Sequence, residues 1–443
     1  MSNRPLLIVH GWSDSSTSFT KLAKLIEAQM GRQVQVINLA DYLSMDDDIT
    51  FFDLAAAMQT AWLARRLPMQ KDSVDIIAHS TGGLIIRNWL QLYYPHGEAP
   101  IKHLVLLAPA NFGSALAHKG RAFYGRVLKG FSGKKIFQVG AKLLKGLELA
   151  SPFTFNLALA DRFNETSYFG SGNILCTILI GNTGYTGISA AANEDGSDGT
   201  VRIAAANLNC ALVDIDFNTN PQKPSFTYQA STGQIAFAII DGENHRSIIN
   251  QDGGFRSDDT LEFIIQALMI NDQEFDGWCQ KLVKHTQLVT NLGLTTPSKQ
   301  GFQHMICHVA DQFKQEVTEY FLEFFGDDNH TAKIAELFHV DTIQDVHPYG
   351  DNPSYRSLYM NCSRLYQVFN QANHRLLISL TALPEFRKQG DVGYRTFTDE
   401  DIGSIAVAGE EFVSLFQENR TLLVRIKLRR EQSARVFRIT NLN

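Results

Sequence analysis

Six short, uniformly apolar runs separated by helix-like segments constrain the fold of this chain more than any other sequence feature. The runs cover residues 6–10, 34–39, 74–78, 103–108, 174–180 and 235–240. A run without polar alternation predicts a strand buried on both faces, as in a parallel sheet. Helical periodicity lies between the runs, for example at 19–29, 51–67 and 82–93. The alternation predicts an α/β domain with a mostly parallel, doubly wound sheet.

The pattern changes after about residue 300, where segments such as RLLISLTAL and TLLVRIKLRR alternate apolar and polar residues. In the second, Leu422, Val424, Ile426 and Leu428 share one face, which predicts half-buried antiparallel strands. The Gly-, Ser-, Thr- and Pro-rich stretch 291–301 marks the change. We therefore expect an α/β domain, a connecting helix with a linker, and a smaller, β-rich, sandwich-like domain. Their predicted ranges are 1–272, 273–300 and 301–443.

Composition excludes several classes of protein. The net charge of −6 over 443 residues gives no basic surface for nucleic acid. The five cysteines form no CxxC pair and no zinc spacing, which favours reduced thiols, a cytoplasmic location and no metal site. The N-terminal apolar run is too short for a signal peptide, and no run reaches the roughly 20 residues of a membrane span. Export by a route that needs no signal peptide remains an alternative to the cytoplasmic location.

The segment AHSTG at 78–82 places a serine at a predicted sharp turn. The segment follows the third apolar run and opens a helix-like segment, the strand–turn–helix context of a nucleophile elbow. Positions two before and two after the serine must be small where strand and helix cross, and they are Ala78 and Gly82. We therefore predict Ser80 as a nucleophile, the alternative being an ordinary Ser/Gly turn.

Two backbone N–H groups are candidates for an oxyanion hole. One belongs to Thr81, which follows the serine, and the other to Trp12, in the loop HGWSDSS after the first apolar run. Gly11 lets that loop turn sharply, so that the N–H of Trp12 can face the serine. His10 belongs to the turn and is predicted as structural rather than as a base.

An acid and a base should follow the serine in chain order, each after a later strand. The polar loop GSDGTVRI presents Asp198, with Glu194 and Asp195 as rival acids nearby. His245 follows the last apolar run in IIDGENHRS and is the predicted general base. A calcium-binding loop at 193–200 is the alternative for the acidic cluster, although its ligand spacing is incomplete.

These motifs together resemble the α/β-hydrolase fold in its lipase branch, over about residues 5–270. LLAPANFGSALA at 106–117 is also similar to the segment before the lid of bacterial lipases and of the lecithin–cholesterol acyltransferase-like group. Two departures are Ala78 in place of the usual elbow glycine and a start at what would be the third strand of the full fold. The resemblance implies ester hydrolysis through an acyl-enzyme, without a cofactor. The motifs that carry it are His10–Trp12, Ala78–Gly82, Asp198–Val201 and Asn244–His245.

An insertion at about 113–170 looks like a helical lid over an acyl pocket. Between 113 and 151 it carries eight basic residues against Glu148, and its apolar residues fall on one helical face. Such a segment can lie on an anionic bilayer. The alternative is a cap helix whose apolar face packs on the core. The candidate lid and membrane contacts are Lys134, Lys135, Lys142 and Lys145.

The β-rich part also carries a basic strand pair. It is predicted as a solvated sheet face, with membrane docking as the alternative. Its residues are Arg425, Lys427, Arg429, Arg430, Arg435 and Arg438.

The expected function is cleavage of carboxylic esters of lipids, and the basic lid favours phospholipids at a membrane surface. Within the same class, the alternative is a soluble carboxylesterase or thioesterase for small acyl groups. From another class, the alternative is a non-catalytic lipid- or partner-binding protein that kept the fold. The sequence identifies no protein partner and no oligomeric state.

Overall fold

The computed structural model describes residues 4–9, 19–37, 48–95, 97–117, 140–251, 253–326, 331–382 and 405–430. The chain divides into two compact units, each described by itself. Unit 1 comprises Met1–Cys210, Ala230–Gly301 and Asn419–Thr421. Unit 2 comprises Ala211–Gln229, Phe302–Glu418 and Leu422–Asn443.

A six-stranded sheet forms the centre of unit 1. Its strand order is β2-β1-β3-β4-β5-β8, and every neighbouring pair is parallel. All its strands except the edge strand β2 are buried along their whole length, as the uniform apolar runs predict. The predicted parallel α/β sheet is therefore confirmed. The strands are β1 (Leu6–Val9), β2 (Val34–Ile37), β3 (Val74–His79), β4 (Ile101–Leu107), β5 (Leu175–Gly181) and β8 (Ala236–Ile240).

Helices connect these strands. Thr50 begins α2 with a capping box: Asp53 N–H donates to the Thr50 hydroxyl, and the Asp53 carboxylate accepts from Thr50 N–H. The helices of unit 1 are α1 (Thr20–Met30), α2 (Phe51–Ala64), α3 (Gly82–Tyr93), α4 (Ala141–Leu147), α5 (Pro152–Arg162), α6 (Ile203–Ala206), α7 (Asp259–Met269) and α8 (Phe275–Gly293). Among the described residues, none of the helices has the length and apolar character needed to cross a membrane.

Unit 2 is β-rich, as predicted, and has a mixed six-stranded sheet, β11-β12-β9-β15-β6-β7, and a three-stranded sheet, β10-β13-β14. One apolar core joins the two sheets and the helices α10 and α11. The strands are β6 (Ala211–Asp216), β7 (Ser225–Ala230), β9 (Phe302–Asp311), β10 (Tyr320–Phe325), β11 (Ile343–Pro348), β12 (Tyr355–Asn361), β13 (Arg375–Ala382), β14 (Ile405–Ala408) and β15 (Arg420–Leu428). The helices are α9 (Thr331–Leu337), α10 (Cys362–Gln371) and α11 (Gly409–Leu415).

The structure differs from the sequence expectation at two places in unit 2. Residues 211–229 fall inside the predicted first domain, yet their strands belong to the second sheet. Strand β15, expected to be antiparallel, pairs parallel with β6, with Leu422 opposite Ala211. Both differences have one cause. Strand β6, one of the two neighbours of β15, lies some 210 residues earlier in the chain, beyond the reach of a local pattern.

Candidate active site

Ser80 occupies the sharp turn between β3 and α3. Its φ of +54° lies in the left-handed region, which a residue with a side chain enters only under constraint. The turn is held from both sides, because Ser80 N–H donates to Leu107 O (3.1 Å) and Ser80 O accepts from Gly83 N–H (3.2 Å). Helix α3 passes so close to the next loop that a Cβ on Gly83 would lie 3.1 Å from Pro109 Cβ. The strained serine is therefore fixed by its surroundings.

His245 lies within hydrogen-bond reach of that serine. Its Nε2 is 3.1 Å from Ser80 Oγ, although the two residues are 165 positions apart in sequence. His245 is fully buried and Ser80 is 4 % exposed. The loop after β8 and the turn after β3 meet because parallel strands end at the same edge of the sheet.

Asp198 completes this group. Its Oδ2 is 2.8 Å from His245 Nδ1, and its Oδ1 accepts from the backbone N–H groups of Thr200 (2.9 Å) and Val201 (2.8 Å). The tight loop needs Gly199, which has a φ of +92° and a Tyr185 ring carbon 2.8 Å from where a Cβ would stand. Both carboxylate oxygens are therefore held, and the structure brings together all three residues predicted for the triad.

Glu194, one of the two rival acids, pairs with an arginine. Its Oε2 accepts from Arg202 Nε at 3.0 Å. The hydrogen-bond partner of His245 Nδ1 is Asp198, so the structure favours Asp198 over Glu194 and Asp195 as the acid. Among the described residues, no three His, Cys, Asp or Glu side chains form a group that could hold a metal ion.

Of the two predicted oxyanion donors, Thr81 belongs to the described residues and Trp12 does not. Thr81 directly precedes α3, at the helix end where backbone N–H groups point outward. It is next to Ser80 and is buried. Trp12 and His10 lie outside the described residues.

Two further residues support His245, and the sequence did not single them out. His79 Nε2 donates to the backbone carbonyl of His245 at 3.0 Å. Glu243 is fully buried in the His245 loop and accepts four hydrogen bonds. His79 belongs to the motif AHSTG and Glu243 to the segment ENH, but a position in a motif does not show a contact between residues far apart in sequence.

The candidate lid is described only in part. Lys134 and Lys135 lie outside the described residues, whereas Lys142 and Lys145 are exposed on α4. The apolar side of α4 is buried through Leu143, Leu144 and Leu147, and Lys142 pairs with Asp48 at 3.0 Å. At its C-terminal end, Ser114 N–H donates to the Leu147 carbonyl (2.8 Å). This helix therefore packs on the core, as the cap-helix alternative expected.

The basic strand of unit 2 is largely compensated. Arg425 forms a two-pronged ion pair with Asp214 of the neighbouring strand, and Lys427 lies 3.3 Å from Asp216. These contacts favour the solvated sheet face over a membrane-docking surface. Arg435 and Arg438 lie outside the described residues.

Comparison with known proteins identifies the fold. Residues 4–156 match the family model of the alpha/beta hydrolase fold, and no curated protein sequence matches the chain. Phospholipase PlaB from Legionella pneumophila has a TM-score of 0.83 at 22 % identity, over 99 % of this chain and 96 % of that one. Its complex with thio-NAD gives 0.81 with the same identity and coverage. Lipase BlEst2 from Bacillus licheniformis reaches only 0.34, at 15 % identity over 56 % of this chain and 86 % of that one. Unit 1 therefore has the α/β-hydrolase fold.

Proposed function

We propose that this protein is a serine hydrolase that cleaves carboxylic esters of lipids. The observation that carries the proposal is the 3.1 Å contact between Ser80 Oγ and His245 Nε2, made by a serine with a φ of +54°. A serine hydroxyl is a weak nucleophile until a neighbouring base accepts its proton. An elbow that strains the serine and aims it at an imidazole has the arrangement that this chemistry requires.

In the first half-reaction, Ser80 Oγ attacks the ester carbonyl carbon while His245 Nε2 takes the hydroxyl proton. The tetrahedral intermediate then collapses, the carbon–oxygen bond to the alcohol breaks, and His245 returns the proton to the leaving oxygen. In the second half-reaction, a water oxygen attacks the acyl carbonyl carbon while His245 Nε2 takes a proton from the water. The bond to Ser80 Oγ then breaks, His245 returns the proton to Ser80 Oγ, and the acid is released. No cofactor enters the proton balance.

Asp198 orients the base in this scheme. Its Oδ2 accepts from Nδ1–H of His245, which leaves Nε2 free to act as the proton acceptor. The imidazolium that forms during the reaction then faces a carboxylate at 2.8 Å. Because Thr200 and Val201 N–H groups hold the other oxygen, the carboxylate cannot rotate away without losing two hydrogen bonds.

The oxyanion of the intermediate would be stabilised by backbone N–H groups. We assign one to Thr81, at the N-terminus of α3, and the second to Trp12. Each such donor contributes on the order of 3 kcal/mol to transition-state stabilisation in enzymes of this type. Neither role depends on the Thr81 hydroxyl or the Trp12 ring.

Two observations support a lipid as the substrate. The solved structure that matches 99 % of the chain is named a phospholipase. Lys142 and Lys145 also stand exposed on α4, where cations can approach an anionic lipid surface. The substrate we propose is therefore a phospholipid carboxylic ester, cleaved at a peripheral membrane surface.

A fluorophosphonate probe tests the nucleophile directly, because it reacts only with an activated serine. We expect wild-type protein and the control Ser171→Ala, an exposed loop serine, to label, and Ser80→Ala not to label. Unlabelled wild-type protein would overturn the proposal. Product analysis on mixed phosphatidylcholine and phosphatidylglycerol vesicles then tests the substrate. Release of fatty acid supports a phospholipase, whereas turnover confined to p-nitrophenyl butyrate or acyl thioesters indicates the small-substrate alternative.

A further inference from the structure

The loop that carries His245 contains a second, fully buried carboxylate, Glu243. It lies two residues before the base and contributes no atom to the Ser80–His245–Asp198 contacts. Burying a carboxylate is costly unless hydrogen bonds replace the lost water. The partners of Glu243 therefore show what this carboxylate holds in place.

One oxygen of Glu243 binds the start of helix α7. Its Oε1 accepts from Arg256 N–H (2.9 Å), Ser257 N–H (3.2 Å) and the Thr260 hydroxyl (2.7 Å). These donors lie 13 to 17 residues further along the chain and belong to the approach to α7 and its first turn. The contacts tie the His245 loop to a helix that packs on the sheet.

The other oxygen closes the loop around His245. Glu243 Oε2 accepts from the Ser247 hydroxyl, which itself accepts from Asn244 N–H (2.9 Å). The Asn244 side-chain oxygen in turn accepts from Ser247 N–H (2.8 Å) and Arg246 N–H (3.0 Å). The residues on both sides of His245 are thus locked to each other and to Glu243.

The backbone of Glu243 is held as well. Its carbonyl accepts from Thr183 N–H (3.0 Å), in the segment that follows β5. The contact with β5 is so close that a Cβ on Gly181 would lie 2.1 Å from the Glu243 carbonyl oxygen. Strand β5, the His245 loop and α7 therefore meet at this one residue.

We propose that Glu243 is the positioning residue of the catalytic base, an inference that rests on the proposed function. Its carboxylate fixes the loop so that His245 stands 3.1 Å from Ser80 and 2.8 Å from Asp198 at the same time. Without that anchor the loop gains alternative conformations, and the imidazole spends less time in line with the serine. A displacement of about 1 Å costs on the order of 100-fold in rate.

Glu243→Ala tests the inference by kinetics and by structure. We expect kcat on p-nitrophenyl butyrate to fall 10- to 100-fold with KM within about twofold, as reactive geometry is lost and substrate contacts remain. The acid limb of the kcat/KM pH profile should also shift, because the surroundings of the base change. Glu262→Ala, which removes an exposed carboxylate from the same helix α7, is the matched control.

A crystal structure of Glu243→Ala provides a readout that needs no activity. We expect His245 Nε2 to move out of hydrogen-bond distance from Ser80 Oγ, or to occupy more than one position. An unmoved, singly placed ring overturns the inference even if the enzyme loses activity, and so does an unchanged kcat in a folded variant. If Glu243→Ala does not fold, Thr260→Val removes one donor and is judged by the same measurements. Failure of the proposed function is separate, because it appears as wild-type protein that does not label.

Discussion

The imidazole of His79 holds the peptide group of His245. His79 Nε2 lies 3.0 Å from the His245 carbonyl oxygen, and the centroids of the two rings are 4.7 Å apart. On the other side, His245 N–H donates to Asp198 O at 3.1 Å. Since His79 immediately precedes Ser80, the backbone of the proposed base is tied to the strand that delivers the serine and to the loop that delivers the acid.

Replacing His79 should therefore slow catalysis without touching the three proposed catalytic residues. We expect His79→Leu, which removes the donor to a buried carbonyl, to lower kcat by about tenfold, since a lost hydrogen bond of this kind is worth about 1 kcal/mol or more. His79→Gln keeps a nitrogen near the same place and should retain most of the activity. Steady-state kinetics on a soluble ester check this, and equal losses in both variants would contradict it.

The identity of the acid can be tested by three amide substitutions. Asp198→Asn should lower kcat on the order of 10⁴-fold, because an amide favours the wrong tautomer of the base. Asp195→Asn should stay close to wild type, and so should Glu194→Gln, whose carboxylate faces Arg202 instead. A large loss in either of these last two, with Asp198→Asn active, would move the acid to that residue.

The glycine at position 181 permits the close approach of the His245 loop to β5. We expect Gly181→Ala to destabilise the fold by about 1–3 kcal/mol and to lower kcat, because its Cβ would overlap the Glu243 carbonyl. Gly277→Ala in α8 meets nothing within 4 Å and should be neutral or stabilising by up to about 1 kcal/mol. Urea unfolding of the two variants checks the contrast. A Gly181→Ala protein as stable as wild type would show that the contact can relax.

The membrane part of the proposal depends on charge on α4. Reversing Lys142 and Lys145 to Glu should weaken partitioning onto phosphatidylglycerol vesicles by roughly 30-fold or more, at about 1 kcal/mol per basic residue. Turnover of a soluble ester should not change. Lys21→Glu with Lys24→Glu makes the same charge change on exposed positions of α1, at the same spacing. Vesicle sedimentation measures both pairs, and equal losses would remove α4 from the interface.

His308 should make the stability of unit 2 depend on pH. Burial lowers the pKa of His308, and the hydrogen bond that its Nε2 donates to Glu316 (2.8 Å) opposes that shift without cancelling it. The unfolded chain therefore binds the proton more readily, so stability falls as pH drops below about 6.5 and levels off under the lowered pKa. Hydrogen exchange of the β9 amides at pH 8 and pH 5 measures the loss. His308→Gln should reduce the difference, and an unchanged difference would contradict the assignment.

The sheet of unit 1 could be predicted because a strand that is buried on both faces forms an uninterrupted run of apolar residues. Every apolar run forms a strand, and residues such as Leu7 and Ile8 on neighbouring positions are both fully buried. The site followed from the same logic, because chemistry placed after consecutive parallel strands converges on one edge. The choice of acid stayed open, since it depends on how Gly199 turns the loop, and three neighbouring carboxylates look alike in a sequence.

What escaped prediction depends on distant partners. In β6, Val213 and Ile215 alternate with Asp214 and Asp216, a half-buried pattern that lies in the middle of an α/β region. Its meaning becomes clear only beside Arg425 and Lys427, which pair with those aspartates. Glu243 escaped for a similar reason. A carboxylate two residues before a histidine does not reveal three donors that lie 13 to 17 residues further along the chain.

The pairing of β6 with β15 bears on how the protein is made. About 210 residues separate the two strands, which a ribosome takes roughly 10 to 40 s to synthesise at about 5–20 residues per second. During that interval β6 and its neighbour β7 are already made, but β15, which pairs with the other edge of β6, does not yet exist. The nascent chain must therefore carry an uncovered strand edge until β15 has been synthesised. A stop codon placed after residue 300, where the sequence suggests a domain boundary, would leave that edge uncovered permanently.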